Sequence, residues 1–279
     1  MVSVALALIL QSGFVQEQMA FRKEVEASLT RPEGWLSVAG LYWLHEGTQT
    51  IGSGPTADVR LPLSAPELVG TVSMTGGKVS IEPQPGVSLL INGKEGSGAL
   101  KADADGGPDS VTIGALTLAV IRRGERTGFR LWDPNCATKK EFKGCHWFPV
   151  SKEYVIRAKF TAHKPGTMVP ITNVLGDTTP NPNSGYVEFT IKGKKCRLEA
   201  IDQGGGLFFN FQDATSGKET YAAGRFLNTE GPKDGFVTLD FNHAINPPCA
   251  YTKFATCPLP PKGNSLSVAI PAGEKKQHD

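Results

Sequence analysis

The chain has 279 residues, 39% of them hydrophobic and 20% charged, with a formal net charge of +2. This excludes a disordered polyelectrolyte and leaves no strong field to attract nucleic acid or an anionic membrane. The length suffices for two cores of ordinary domain size, and 32 glycines and 20 prolines spread between short apolar runs predict many short strands joined by turns.

The opening MVSVALALIL, residues 1–10, has the length of a signal peptide's apolar part but no basic residues before it. Residues 1–15 are set apart as a candidate leader; export and a cytoplasmic place both stay open. Neither this run nor any later one is long enough to span a bilayer. Residues 16–29 predict a helix, because Phe21, Val25 and Leu29 recur every four residues with charges between them. Arg31-Pro32 ends it. The aromatic run 34–44 reads as core packing for the next domain, so 16–46 is a helix and aromatic lead-in.

From residue 47 the period becomes two. Strands are predicted at 47–51, 58–61, 70–74, 78–82, 87–91, 110–113, 115–122 and 129–132, a spacing that suggests a β-sandwich over 47–132. Asn92-Gly93 suits a tight turn because both residues tolerate positive φ. Residues 133–150 are polar and irregular and read as a linker with one helical turn. Over 151–279 strands are predicted at 154–161, 168–173, 185–191, 195–201, 207–212, 225–227, 235–240 and 265–270. Lys192-Gly193 closes a hairpin there, giving a second antiparallel β domain. The fold class is mainly β, with a short N-terminal helix.

Five cysteines are present. Cys136 and Cys145 stand nine apart and Cys249 and Cys257 eight apart. Each pair closes a small loop in an oxidising compartment, or packs as thiols in a reducing one. No zinc-type spacing occurs, so no metal site is predicted.

The stretch Ile51-Gly52-Ser53-Gly54-Pro55, with Asp58-Val59-Arg60-Leu61, Ile91-Asn92-Gly93-Lys94 and Ile113-Gly114-Ala115-Leu116 further on, resembles the forkhead-associated sandwich. Phosphothreonine readers of that kind carry an arginine where this chain has Ser53, and a serine and histidine where it reads Leu68 to Met74. The resemblance therefore implies a scaffold that has lost phosphate reading.

A broader resemblance rests on Gly34-Trp35-Leu36, Trp147-Phe148-Pro149, Gly224-Arg225-Phe226-Leu227, Asn246-Pro247-Pro248-Cys249-Ala250-Tyr251, Cys257-Pro258-Leu259-Pro260-Pro261 and Ala272-Gly273-Glu274-Lys275. In these the chain is similar to a bacterial and archaeal domain-of-unknown-function family numbered 1684. That resemblance implies no established activity.

Pro247-Pro248 and Pro258 with Pro260-Pro261 stiffen the C-terminal segment, and a stiff loop suits a preorganised polar pocket. The candidate catalytic residues are Asp240 as base and Cys249 as nucleophile. The candidate ligand-binding residues are Tyr221, Arg225, Asn242, Asn246, Cys257 and Glu274. The expected partner is a small polar or anionic molecule, with no nucleic acid; cofactor and oligomeric state stay open. A structural alternative stands beside this, in which Asp240 and the asparagines cap turns and Arg225 pairs with Asp240. At the level of function the alternative is a non-catalytic interaction module.

Overall fold

A computed structural model describes residues 2–277, with side chains from Ser12 onward. The apolar run 1–10 therefore lies outside the residues whose side chains are described. Strands make up 44% of the structure and helices 15%, so the fold is mainly β. Among the described residues no helix is long and apolar enough to cross a membrane.

The chain divides into two compact units, Ser28–Phe142 and a discontinuous one of Met1–Ala27 with Lys143–Asp279. Helix α1 runs Val2–Thr30, longer than its four-residue apolar spacing predicts. Most of it thus groups with the C-terminal half of the sequence.

The unit Ser28–Phe142 holds β1 (Val38–Trp43), β2 (Gly47–Gly52), β3 (Val59–Arg60), β4 (Gly70–Thr75), β5 (Lys78–Pro83), β6 (Leu90–Ile91), β7 (Lys94–Glu95), β8 (Gly98–Leu100), β9 (Ser110–Ile113), β10 (Leu116–Arg123) and β11 (Arg126–Trp132), then a short α2 (Ala137–Glu141). They form two sheets, in the orders β1-β11-β10-β9-β6-β7 and β3-β2-β4-β5-β8. One core takes alternate residues from both: Val72, Val79 and Ile81 from one sheet, Leu118, Phe129 and Leu131 from the other. The aromatic lead-in turns out to include an edge strand, β1, paired antiparallel with β11. Asn92 (φ 52°) and Gly93 (φ 80°) make the tight turn between β6 and β7, as their tolerance of positive φ predicts. Ser53 is buried and donates to the Ala65 carbonyl at 2.8 Å.

The other unit holds β12 (Val155–Ala162), β13 (Met168–Thr172), β14 (Thr178–Ile191), β15 (Lys194–Asp202), β16 (Gly206–Phe211), β17 (Arg225–Glu230) and β18 (Phe236–Asp240). The sheet order is β17-β16-β15-β14-β12-β18, with β13 paired to the N-terminal part of β14. Its edge strands β17 and β18 approach each other, so the sheet is nearly closed into a barrel. The interior is aromatic. Phe211 and Phe189 each pack on Phe241, with ring centroids 5.5 and 5.8 Å apart, geometry worth about 0.5–1.5 kcal/mol per pair beyond area burial.

One predicted strand is not formed. Residues 265–270 keep the period of two, with Leu266, Val268 and Ile270 all buried, but they join no ladder. Their backbone bonds go singly, Leu266 N to Gln212 O and Ala214 N to Val268 O, and Ile270 N donates to the Asp213 carboxylate at 2.8 Å. A side chain takes the place of a neighbouring strand.

Candidate functional site

After β18 the C-terminal segment lies over the sheet in turns. Asp240 starts the first, accepting from Asn242 N at 3.0 Å across the 3-10 turn Phe241–His243. Pro247 leads into a second 3-10 turn, Pro248–Ala250, where proline's fixed φ costs nothing. Beyond it, Leu259 N donates to Thr172 O at 2.8 Å and Val174 N to Cys257 O at 2.9 Å, while Asn210 Nδ2 reaches Pro258 O. These bonds pin the proline stretch around Cys257 beside β13.

The two turns bring Tyr221, Cys249 and Cys257 together. Cys249 N donates to the Cys257 sulfur at 3.1 Å and Tyr221 Oη donates to Cys249 O at 3.0 Å. The Cys249 thiol is brought down to about 7, first by a hydrogen bond from Cys257, against burial, with Tyr221 and its own backbone N–H adding to the fall. Tyr221 moves the other way, well above the ordinary tyrosine range, through burial and then its contact with Cys249. Tyr221 is thus a proton donor at neutral pH. Cys249 is half-buried and Cys257 buried, and both are thiols.

A second network surrounds Glu274, which is fully buried. It accepts from Asn246 N and Gln277 Nε2, each at 2.8 Å, and from the Tyr251 hydroxyl. Asn246 Nδ2 donates to Lys275 O at 2.7 Å. Burial raises the Glu274 carboxyl and, first among several causes, raises Tyr251 and Cys145 as well. Cys145, 3.7 Å from Tyr251 Oη, is therefore held as a thiol, in contrast to Cys249. Gly273 (φ +76°) makes the close approach that seats Glu274, since a Cβ there would stand 2.4 Å from Ala244 O and 2.7 Å from Phe241 O.

Arg225 is 1% exposed. It pairs with Asp213 at 3.0 Å and donates to the carbonyls of Ile270, at 3.0 Å, and Ala272. Its partner is thus Asp213 and not Asp240. Burial pulls the guanidinium pKa down, and Asp213 opposes that pull. Asp213 also accepts from Thr215 N at 2.9 Å and Thr215 Oγ1 at 2.5 Å.

Asp240 and Asn242 sit elsewhere in the unit. Asp240 accepts from Asn242 Nδ2 and Gln18 Nε2, each at 2.7 Å. Asn242 bridges to Ser151, accepting from its N at 3.0 Å and donating to its O at 2.9 Å. His243 stacks on Phe21 of α1 with centroids 3.9 Å apart, and burial lowers its pKa.

Asp213, Asn264 and Tyr251 are not among the candidate site residues read from the sequence. Asn264 is fully buried. It accepts from Glu199 N at 2.7 Å and donates to Glu199 O at 3.1 Å and Asn210 O at 3.0 Å. These strands, β15 and β16, pair directly only at Ile201–Phe208 and Asp202–Leu207; where they splay, the Asn264 amide stands in for the missing peptide group.

Clefts of about 550 Å³, beside Pro83, Val87 and Glu95, and about 180 Å³, beside Glu230, Lys233 and Phe236, lie apart from these residues. Among the described residues no group of three or more histidines, cysteines and carboxylates has the arrangement to hold a metal ion.

Fold and site together define a mainly β protein whose C-terminal unit, a nearly closed sheet under a proline-stiffened segment, carries a half-buried thiol beside a buried one. Residues 140–275 match the family described as "Protein of unknown function (DUF1684)". The chain is also similar to an uncharacterized protein of Haloarcula marismortui with a solution NMR structure, at 31% identity over 52% of this chain and 85% of that one, with a TM-score of 0.43. No curated protein matches the chain.

Proposed function

We propose that the C-terminal unit handles a small polar molecule at the proline-stiffened segment, with the Cys249 thiol as its reactive group. The observation that carries this reading is the environment of Cys249. Cys249 is half-buried and its thiol is brought down to about 7, first by Cys257 and then by Tyr221, whereas the Cys145 and Cys196 thiols of the same unit are raised, first by burial. The thiolate is the nucleophile, and a thiol titrating near the ambient pH is the best attacker. No separate base is needed, which leaves Asp240 as the cap of its turn. Arg225 supports the site by holding Ile270 and Ala272 in place. Arg225 is committed to Asp213 and two backbone carbonyls, so it is not the clamp of an anionic ligand.

For residues 47–132 the proposal is a forkhead-associated-like scaffold without phosphothreonine reading. The two sheets over one core and the buried hydroxyl of Ser53 support it.

Brief labelling of the native protein with iodoacetamide at neutral pH, read peptide by peptide, tests the thiol reading. Cys249 is expected to label ahead of Cys145 and Cys196. Equal labelling of all three, or Cys249 last, contradicts it.

A further inference from the structure

We propose that Cys249 and Cys257 are the attacking and resolving thiols of an exchange reaction with small disulfides. This names a substrate class for the thiol site above and rests on that reading.

The geometry sets the roles. Cys249 is half-buried, so an incoming molecule reaches it first, and the Tyr221 hydroxyl holds it in place by donating to its carbonyl at 3.0 Å. Cys257 is 4% exposed, shielded from a bulky attacker, yet its sulfur lies 3.1 Å from Cys249 N. Both stems are anchored, one by the turn Pro248–Ala250 and the other by the bonds of Cys257 and Leu259 to the segment that begins in β13. The two sulfurs are thus held as neighbours by the fold.

Atoms and electrons balance at each step. The Cys249 thiolate attacks one sulfur of a disulfide RS–SR; the S–S bond breaks, a Cys249–S–SR bond forms, and RS⁻ leaves. Cys257 then loses its proton to solvent and its sulfur attacks Cys249 Sγ, displacing the second RS⁻. The products are a Cys249–Cys257 disulfide and two RSH, the substrate having been reduced by two electrons and the dithiol oxidised by two. A dithiol reductant attacks the Cys249–Cys257 bond and closes to its own disulfide, giving up two electrons and restoring both thiols.

Cys249 carries roughly fifteen times more thiolate at neutral pH than an ordinary thiol, but its lower basicity reduces intrinsic nucleophilicity, leaving roughly a threefold rate advantage. The gain of the arrangement lies mostly in the second step, which is intramolecular.

The test uses the reduced full chain, oxidised glutathione, acid quenching, alkylation of remaining thiols and peptide mapping by mass spectrometry. Wild type is expected to give a Cys249–Cys257 disulfide, and Cys257→Ser a persistent glutathione mixed disulfide on Cys249. In Cys249→Ser, uptake at Cys257 is expected to fall at least about tenfold, because a buried thiol is a poor first attacker. The wild-type map does not depend on the variants folding. A wild-type chain that keeps glutathione on Cys249 without forming the internal bond overturns the exchange proposal, while rapid labelling of Cys249 by iodoacetamide would leave the nucleophile reading standing. Failure of Cys249 to react with either reagent sinks both.

Discussion

Arg225 and Asp213 form an ion pair at 3.0 Å with side chains 1% and 0% exposed, and through it the start of β17 is tied to the segment before Glu274. Removing one partner of a buried pair leaves an uncompensated charge, which costs about 3–5 kcal/mol. Arg225→Met is therefore expected to destabilise the C-terminal unit by about that amount. Asp213 keeps its bonds from Thr215 and Ile270 N, which places the loss toward the lower end. Urea unfolding followed by a probe in this unit measures it. A variant of wild-type stability would show that Arg225 is not the buttress described.

Asn264→Ala should be nearly as damaging. It removes one acceptor and two donors that serve buried backbone groups of β15 and β16, and one orphaned buried group alone costs about 1–3 kcal/mol. Hydrogen exchange should show the Glu199 amide losing protection first. Unchanged protection there would contradict the role of the amide as a peptide substitute.

Tyr221→Phe keeps the ring and removes the hydroxyl that donates to the Cys249 carbonyl and helps to lower its thiol. Loss of a bond to the charged form raises a thiol's pKa. The Cys249 midpoint should move up toward the ordinary thiol range, with slower alkylation at neutral pH and a small change in stability. A midpoint that stays put would leave the effect to Cys257 and the Cys249 backbone N–H.

Burial raises Glu274 in the folded state. A carboxyl whose folded pKa exceeds its unfolded value binds its proton more tightly when folded. Its contribution is therefore fully present below the unfolded pKa and declines as pH rises through the folded one. Glu274→Gln should flatten that decline in a stability-against-pH series from acid to neutral. Glu274→Ala should instead destabilise at every pH, because Asn246 N and the Tyr251 hydroxyl lose their acceptor. Superimposable pH slopes for wild type and Glu274→Gln would remove Glu274 from the account.

Local signals were legible in the sequence and long-range ones were not. The turn at Asn92-Gly93 and the hairpin at Lys192 (φ 49°) and Gly193 (φ 74°) follow from residue types that tolerate positive φ. Spacing left Cys136–Cys145 and Cys249–Cys257 each open as a bridge or as thiols; Cys249 N meets the Cys257 sulfur at 3.1 Å, while Cys136 donates to Leu36 O and Cys145 meets Tyr251, all as thiols. The partner of Arg225 was invisible, because Asp213 is twelve residues away along the chain and meets it only after β16 and β17 pair. Asn264 was invisible for a related reason, since nothing local says that β15 and β16 splay at Glu199. Residues 265–270 have strand periodicity without a strand, because period two reports burial on alternate sides and not the identity of the hydrogen-bond partner.

The central claim is that Cys249 is an activated thiol, and its titration tests it most directly. Alkylation rates of individual cysteines in the native chain, measured across neutral pH, should give Cys249 a midpoint at about 7, with Cys145 and Cys196 rising only at higher pH. A Cys249 midpoint at about 8.5 or above, the ordinary thiol value, would contradict the account.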